Sequence, residues 1–275
     1  MSNNFSLGFT FWNLNKKPIE SLVRKLVDEQ DIDIVILAEN TISPATLLNT
    51  INENQSRTYF LDRIPSEKIT LLSRLPHGCI LPISDDLGIS IRHLAPPIGD
   101  SILLVSAHFP SKLYRDEYGH LAFASQVAGL IRSAETKVGH ARTVFVGDLN
   151  MNPFEPGIIA ANGLHASMSR QIAEKISRKV DGVEFPFFYN PMWARFGDST
   201  QGPPGTYYFG PTGHYSMFWN IFDQVLLRPS LLSSFKDEHL CIISQIGGKS
   251  LVNNLGIPDT SFSSDHLPIV FRIQL

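Results

Sequence analysis

The chain has 275 residues and a formal net charge of −3, a length that allows one large domain or two small ones. Hydrophobic residues make up 43% and charged residues 18%, and the mean hydropathy rounds to zero, a balance that supports a sizeable core and excludes a disordered or fibrous protein. With 23 Lys plus Arg against 26 Asp plus Glu, bulk charge cannot hold a polyanion, so such a partner has to be met through a local patch or through metal ions. The N-terminus carries no basic region, apolar run and cleavage site of the signal-peptide kind. The longest charge-free stretch, Ser199 to Phe222, contains Pro203, Pro204 and Pro211, which makes it a loop and leaves no membrane span. Cys79 and Cys241 both sit beside apolar residues. Two such cysteines predict reduced thiols and, with the missing leader, a cytoplasmic protein.

In chain order, Ser6 to Trp12 alternates Leu7, Phe9 and Phe11 as a strand does. Pro18 opens a helix with Ile19, Leu22, Val23, Leu26 and Val27 on one stripe. The run IDIVILA is apolar enough for a strand covered on both faces. Lys68 to Leu72, Ile89 to His93 and Ser101 to Ala107 are further strands between Pro and Gly turns. Leu121 to Ala134 reads as a helix leading into the strand TVFVG, and Ser167 to Lys179 as a second amphipathic segment with Met168, Ile172 and Ile176 inward. Strands at IFDQVLL, CIISQ and PIVFRI close the chain. No low-complexity linker interrupts these elements, so residues 1–275 are expected to form a single mixed domain.

The polar residues that interrupt this framework share a location. Asn13 and Asn15 follow the first strand, Glu39 ends IDIVILA, His108 ends ILLVSA, Asp148 and Asn150 end TVFVG, and Asp265 with His266 precedes the last strand. Strand ends suit catalysis because the sheet fixes position while the loop leaves the side chain open. Taken singly, Glu39 could be a solvated strand terminus, His108 a structural histidine, and Asp148 and Asn150 caps of a turn. Taken together they gather at one sheet edge.

The segments WNLN (12–15), LAEN (37–40), SAHF (106–109), GDLN (147–150), FDQVLL (222–227) and SDHLPIV (264–270) resemble, in this order, the motifs of the endonuclease/exonuclease/phosphatase superfamily. GDLN and SDHLP are the specific matches. The resemblance implies a four-layer α/β sandwich, two mixed sheets packed face to face with helices outside, as one catalytic domain with a Mg²⁺-dependent site that Mn²⁺ could also serve. It puts Asn13, Asn15, Glu39 and Asp265 at metal-binding or metal-orienting positions, Asp148 and Asn150 at the attacking water and scissile phosphate, and Asp223 beside the terminal histidine, His266. Asn15 stands where an aspartate is common. Ala38 replaces a frequent glutamine, and Asn40 could bring in a substitute amide.

Elementary chemistry agrees with that set. Phosphodiester hydrolysis needs positive charge on the non-bridging oxygens and an oriented water, and a hard cation held by Glu39 and Asp265 supplies part of this. Asp148 and Asn150, two apart in extended backbone, point to one side. Protonated His266 could donate to the phosphate, with Asp223 favouring its charge, and His108 could do similar work opposite. Substrate contacts are expected from Lys112 and Arg115, next to Tyr114. Others are expected from Trp193, in a segment that also holds Arg170, Lys175, Arg178, Lys179 and many aromatics. These features favour a nuclease acting on DNA or RNA. The alternative is a phosphatase or phosphodiesterase acting on inositol phosphates, lipid headgroups or small nucleotides.

Overall fold

A computed structural model describes residues 5–54, 56–199, 202–210 and 217–275. Its elements, in chain order, are β1 (Ser6–Asn13), α1 (Glu20–Gln30), β2 (Ile34–Ala38), α2 (Pro44–Asn52), β3 (Phe60–Leu61), β4 (Ile69–Ser73), β5 (Ile80–Asp86), β6 (Ile89–Leu94), β7 (Ile102–His108), α3 (Glu117–Val138) and β8 (Thr143–Asp148). The C-terminal half adds α4 (Pro156–Ile159), β9 (Ala166–Ser167), α5 (Arg170–Ala173), β10 (Ser177–Val180), β11 (Val183–Pro186), β12 (Phe188–Tyr189), β13 (Tyr207–Tyr208), β14 (Trp219–Asn220), β15 (Asp223–Leu227), β16 (Cys241–Ile242), β17 (Gln245–Ile246), β18 (Lys249–Ser250) and β19 (Ile269–Gln274).

Two large mixed sheets result, one of six strands in the order β16-β19-β1-β2-β4-β3 and one of seven in the order β5-β6-β7-β8-β15-β12-β9. Alternation along each strand decides the layers. Phe9, Phe11, Ile34 and Ile36 of the first sheet meet Ile102, Leu104, Val144 and Val146 of the second in one core between the sheets. The opposite faces are covered by helices: Val35 and Leu37 pack with Val23, Leu26 and Leu47 of α1 and α2, and Leu103, Val105 and Phe145 pack with Phe123, Val127 and Ile131 of α3. This is the expected sandwich of sheet on sheet with helices outside.

The helix ends carry their own signals. Ser43 caps α2, accepting from the Thr46 N–H at 3.1 Å with Pro44 in the first turn, and Asp116 caps α3, accepting from the Gly119 N–H at 2.8 Å. Helix α1 begins at Glu20, two residues later than Pro18 suggests.

Three readings of the sequence need correction. Residues 167–179 form no amphipathic helix but the short β9, one turn of α5 and the hairpin β10–β11. Met168 and Ile176 are 64% and 65% exposed, so the expected apolar side is not buried. CIISQ splits into the two short pieces β16 and β17. Strand β5, with its exposed Leu81, Pro82, Asp85 and Asp86, escapes the apolar pattern because it is a sheet edge. Of the charge-free stretch 199–222, residues 200, 201 and 211–216 lie outside the described residues, and β13 and β14 form a hairpin. Among the described residues no helix is long and apolar enough to cross a membrane, and Cys79 and Cys241 are free.

Candidate active site

The register of the seven-stranded sheet aligns the polar strand ends. His108 of β7 lies opposite Asp148 of β8 in the parallel pair, and Asp148 lies opposite Asp223 of β15 in the antiparallel pair. One row across neighbouring strands thus carries His108, Asp148 and Asp223. In the other sheet Asn13 ends β1 opposite Ala38, so Glu39 emerges beside it.

The two sheet edges meet at one atom, Oδ2 of Asp148. It accepts from Asn13 Nδ2 at 3.0 Å and faces His108 Nε2 at 3.7 Å and His266 Nε2 at 3.9 Å. Asn13 Nδ2 also points at Glu39 Oε1, 3.4 Å away, and His108 Nε2 lies 3.5 Å from the same oxygen. Asp148 and Asn13 are buried, whereas the Glu39 side chain keeps 27% of its surface open. Glu39 has φ 47°, a left-handed conformation that costs a non-glycine residue about 1 kcal/mol or more and that clusters at functional sites.

Asn150 does not continue an extended strand. Its φ is 49°, its own N–H donates to Asp148 Oδ1 at 2.9 Å, and its Nδ2 donates to the Phe109 carbonyl at 3.0 Å. The pair is therefore held by a turn in which Asn150 locks the second oxygen of Asp148. Asn15, with φ 46°, donates its backbone N–H to Asn13 Oδ1 at 3.0 Å. Asn40 does not substitute for the missing glutamine, because its Nδ2 goes to Thr70 Oγ1 at 3.0 Å.

Asp223 is fully buried, and its Oδ2 meets His266 Nδ1 at 2.8 Å. Burial works against charge on His266, but Asp223, Asp148 and Asp265 outweigh it and push the imidazole up to about 10. Burial likewise pushes the Asp223 carboxyl up, against the pull of His266. Ser264 braces this end: its hydroxyl donates to the Asn13 carbonyl at 2.6 Å and lies 3.3 Å from Asp265 Oδ1, while it accepts the His266 N–H at 3.1 Å. The Tyr207 ring packs 4.7 Å from the His266 ring, and burial, with Asp265 and Asp148, raises its phenol. Neither bracing residue stands out in the sequence. Ser264 lies inside the SDHLP motif without a charge to mark it, and Tyr207 is one of many aromatics.

The donor chemistry fits a hard divalent cation. Glu39 and Asp265 are partly exposed carboxylates, and oxygen ligands with retained waters suit Mg²⁺ or its relatives. Asp148, Asp223 and His266 also bring possible ligand atoms within 4.8 Å of one another. Of those three, His266 Nδ1 and Asp223 Oδ2 are already spent on each other at 2.8 Å.

The expected substrate contacts divide. Lys112 reaches Glu155 at 2.5 Å and lies over the Phe222 ring, next to Asp223. Arg115 lies instead over Phe123 of α3, and Trp193 meets Phe154 edge to face, with 6.1 Å between ring centroids. Arg170 is held by Asp237 at 2.7 Å, and Phe187, Phe188 and Tyr189 are buried core residues. Lys175, Arg178 and Lys179 of the same segment are exposed.

The chain thus has two facing mixed sheets with outer helices, and acidic, amide and histidine side chains collected at one common edge. Solved structures share this fold: the Danio rerio TDP2 complexed with single strand DNA product is 15% identical, with 98% of this chain and 99% of that chain covered at a TM-score of 0.55. ANGEL2, described as a 2′,3′-cyclic phosphatase, is 13% identical over 100% of this chain and 96% of its own, with a TM-score of 0.58. An endonuclease/exonuclease/phosphatase family protein from Leptotrichia buccalis C-1013-b is 12% identical over 98% of this chain and 100% of its own, also at 0.58. No protein-family model matches the sequence, and no curated protein does either.

Proposed function

We propose that the protein is a divalent-metal-dependent phosphodiester hydrolase, a nuclease whose substrate is DNA or RNA. The observation that carries this reading is the convergence of Asn13, His108 and His266 on one oxygen of Asp148, beside the open carboxylate of Glu39. A protein needing only a binding groove has no use for a buried carboxylate aimed at two imidazoles. The whole chain, residues 1–275, acts in this reading as one catalytic domain, because β1 and β19 from its two ends pair directly.

Glu39 and Asp265 would hold Mg²⁺, with Mn²⁺ as a substitute and Asn13 orienting Glu39. The bound ion neutralises charge on the phosphate oxygens. Asp148, fixed at both oxygens by Asn13 and Asn150, accepts a proton from the attacking water. His266 is bound to Asp223 through Nδ1, so its Nε2–H is left to donate to a non-bridging oxygen. His108 faces the same phosphate from the Glu39 side.

TDP2 in complex with a single strand DNA product supports a nucleic acid as the partner. ANGEL2 supports a second reading, a phosphatase acting on small or terminal phosphoesters. The free cysteines suit a reducing cytoplasm. Incubation of labelled DNA and RNA oligonucleotides, in parallel with a nucleoside 2′,3′-cyclic phosphate and inositol phosphates, tests the assignment. Oligonucleotide cleavage in Mg²⁺ that stops in EDTA is expected. Turnover confined to the small phosphoesters replaces the nuclease with the phosphatase, and no turnover on any of them sinks both.

A further inference from the structure

Lys68 precedes β4, and Ile69 pairs with Ala38 of β2, so the lysine stands in the row of Glu39 on the six-stranded sheet. Its ammonium crosses to the other sheet, where Nζ donates to the carbonyl of His108 at 3.5 Å. That bond is long, and among the described residues Lys68 makes no ion pair. An ammonium has three donors. One is used on the His108 carbonyl, which leaves two for other partners.

The path of the side chain is built into the β5–β6 turn. Gly88 has φ 73°, and a Cβ there would lie 2.7 Å from Lys68 Cδ and 2.9 Å from Cε. The absent side chain of Gly88 is therefore the groove in which the lysine stem runs, half-buried, toward the site.

We infer that Lys68 contacts the substrate phosphate, supplying the fixed protein cation on the His108 side of the site, and that Gly88 positions it. The inference rests on the hydrolase reading above. The carboxylates Glu39, Asp148 and Asp265 repel an anionic ester, and a cation held by Glu39 and Asp265 would need protein donors beside it on the His108 side. Lys68 is suited to that task because a compact ammonium on a flexible stem binds phosphate as a point charge. No motif marks this lysine in the sequence.

The test is steady-state hydrolysis in Mg²⁺ of labelled DNA and RNA oligonucleotides and a nucleoside 2′,3′-cyclic phosphate by the full chain. Lys68→Met keeps the apolar stem and should lower kcat/KM by about ten- to a hundredfold, the worth of one charge-assisted hydrogen bond, with an unchanged unfolding midpoint. Gly88→Ala should lower kcat/KM in the same direction in the wild-type background and add no further loss to Lys68→Ala. A merely structural role predicts additive losses. Wild-type kcat/KM in Lys68→Met, or full additivity with Gly88→Ala, overturns the inference while leaving the hydrolase intact. An inert wild type overturns the hydrolase reading and the inference with it.

Discussion

Asp148 is the residue on which the site turns, because each of its oxygens is claimed by an amide: Oδ2 by Asn13 and Oδ1 by the backbone of Asn150. His266 owes its proton to the carboxylates around it, so two substitutions separate charge from geometry. His266→Ala should fold normally and lose about 10²- to 10⁴-fold in kcat with little change in KM, the pattern of a contact made in the transition state. A folded variant with wild-type turnover would make the histidine structural. Asp223→Asn keeps the shape and removes the anion. The pKa of His266, about 10 in the intact site, then falls, the protonated form is lost at lower pH, and the alkaline limb of the rate profile moves toward acid. An unmoved limb would detach Asp223 from the titration of His266.

At the level of elements, the site exists because strand ends from two sheets stop at one edge. The β7–β8 pair enforces this most tightly. A Cβ on Gly147 would lie 2.1 Å from the Ala107 carbonyl oxygen, a backbone atom that cannot turn aside. Gly147→Ala should therefore cost about 3 kcal/mol or more of stability, read as a lower urea midpoint, and should disturb His108 and Asp148, which follow it in the same row. A variant as stable as wild type would mean the parallel pair is looser than its register implies. Asp116→Ala offers a milder comparison. It removes the cap of α3, remote in function from the site, and should cost about 1 kcal/mol with kcat unchanged.

Over the whole molecule, one edge concentrates Glu39, Asp148, Asp223 and Asp265 in a chain whose net charge is only −3. Like charges held together by a fold invite a cation, and binding to the folded state alone stabilises it by mass action. Mg²⁺ should accordingly raise the unfolding midpoint as well as support turnover. Glu39→Gln should abolish most of both effects, so that the Mg²⁺ concentration giving half-maximal rate rises at least about tenfold. Full activity in EDTA by metal-stripped protein would contradict this.

The strands β1, β2, β7, β8 and β19 and the helices α1 and α3 were legible because each carries an unbroken apolar period whose faces match one buried layer. That Asn13, Glu39, Asp148 and His266 lie at one edge was expected for a related reason, since polar residues flanking apolar strands are visible in one dimension, whereas Asp223 was placed beside His266 by the resemblance alone. Tertiary structure alone decided who touches whom. Register put His108, Asp148 and Asp223 in one row, a left-handed Asn150 replaced the expected extended geometry, and Phe187, Phe188 and Tyr189 of the aromatic segment became core. Lys68 belongs wholly to this second kind. Its charge looks ordinary in the sequence, and only the approach of two sheets across a bare Gly88 brings its ammonium to the carbonyl of His108.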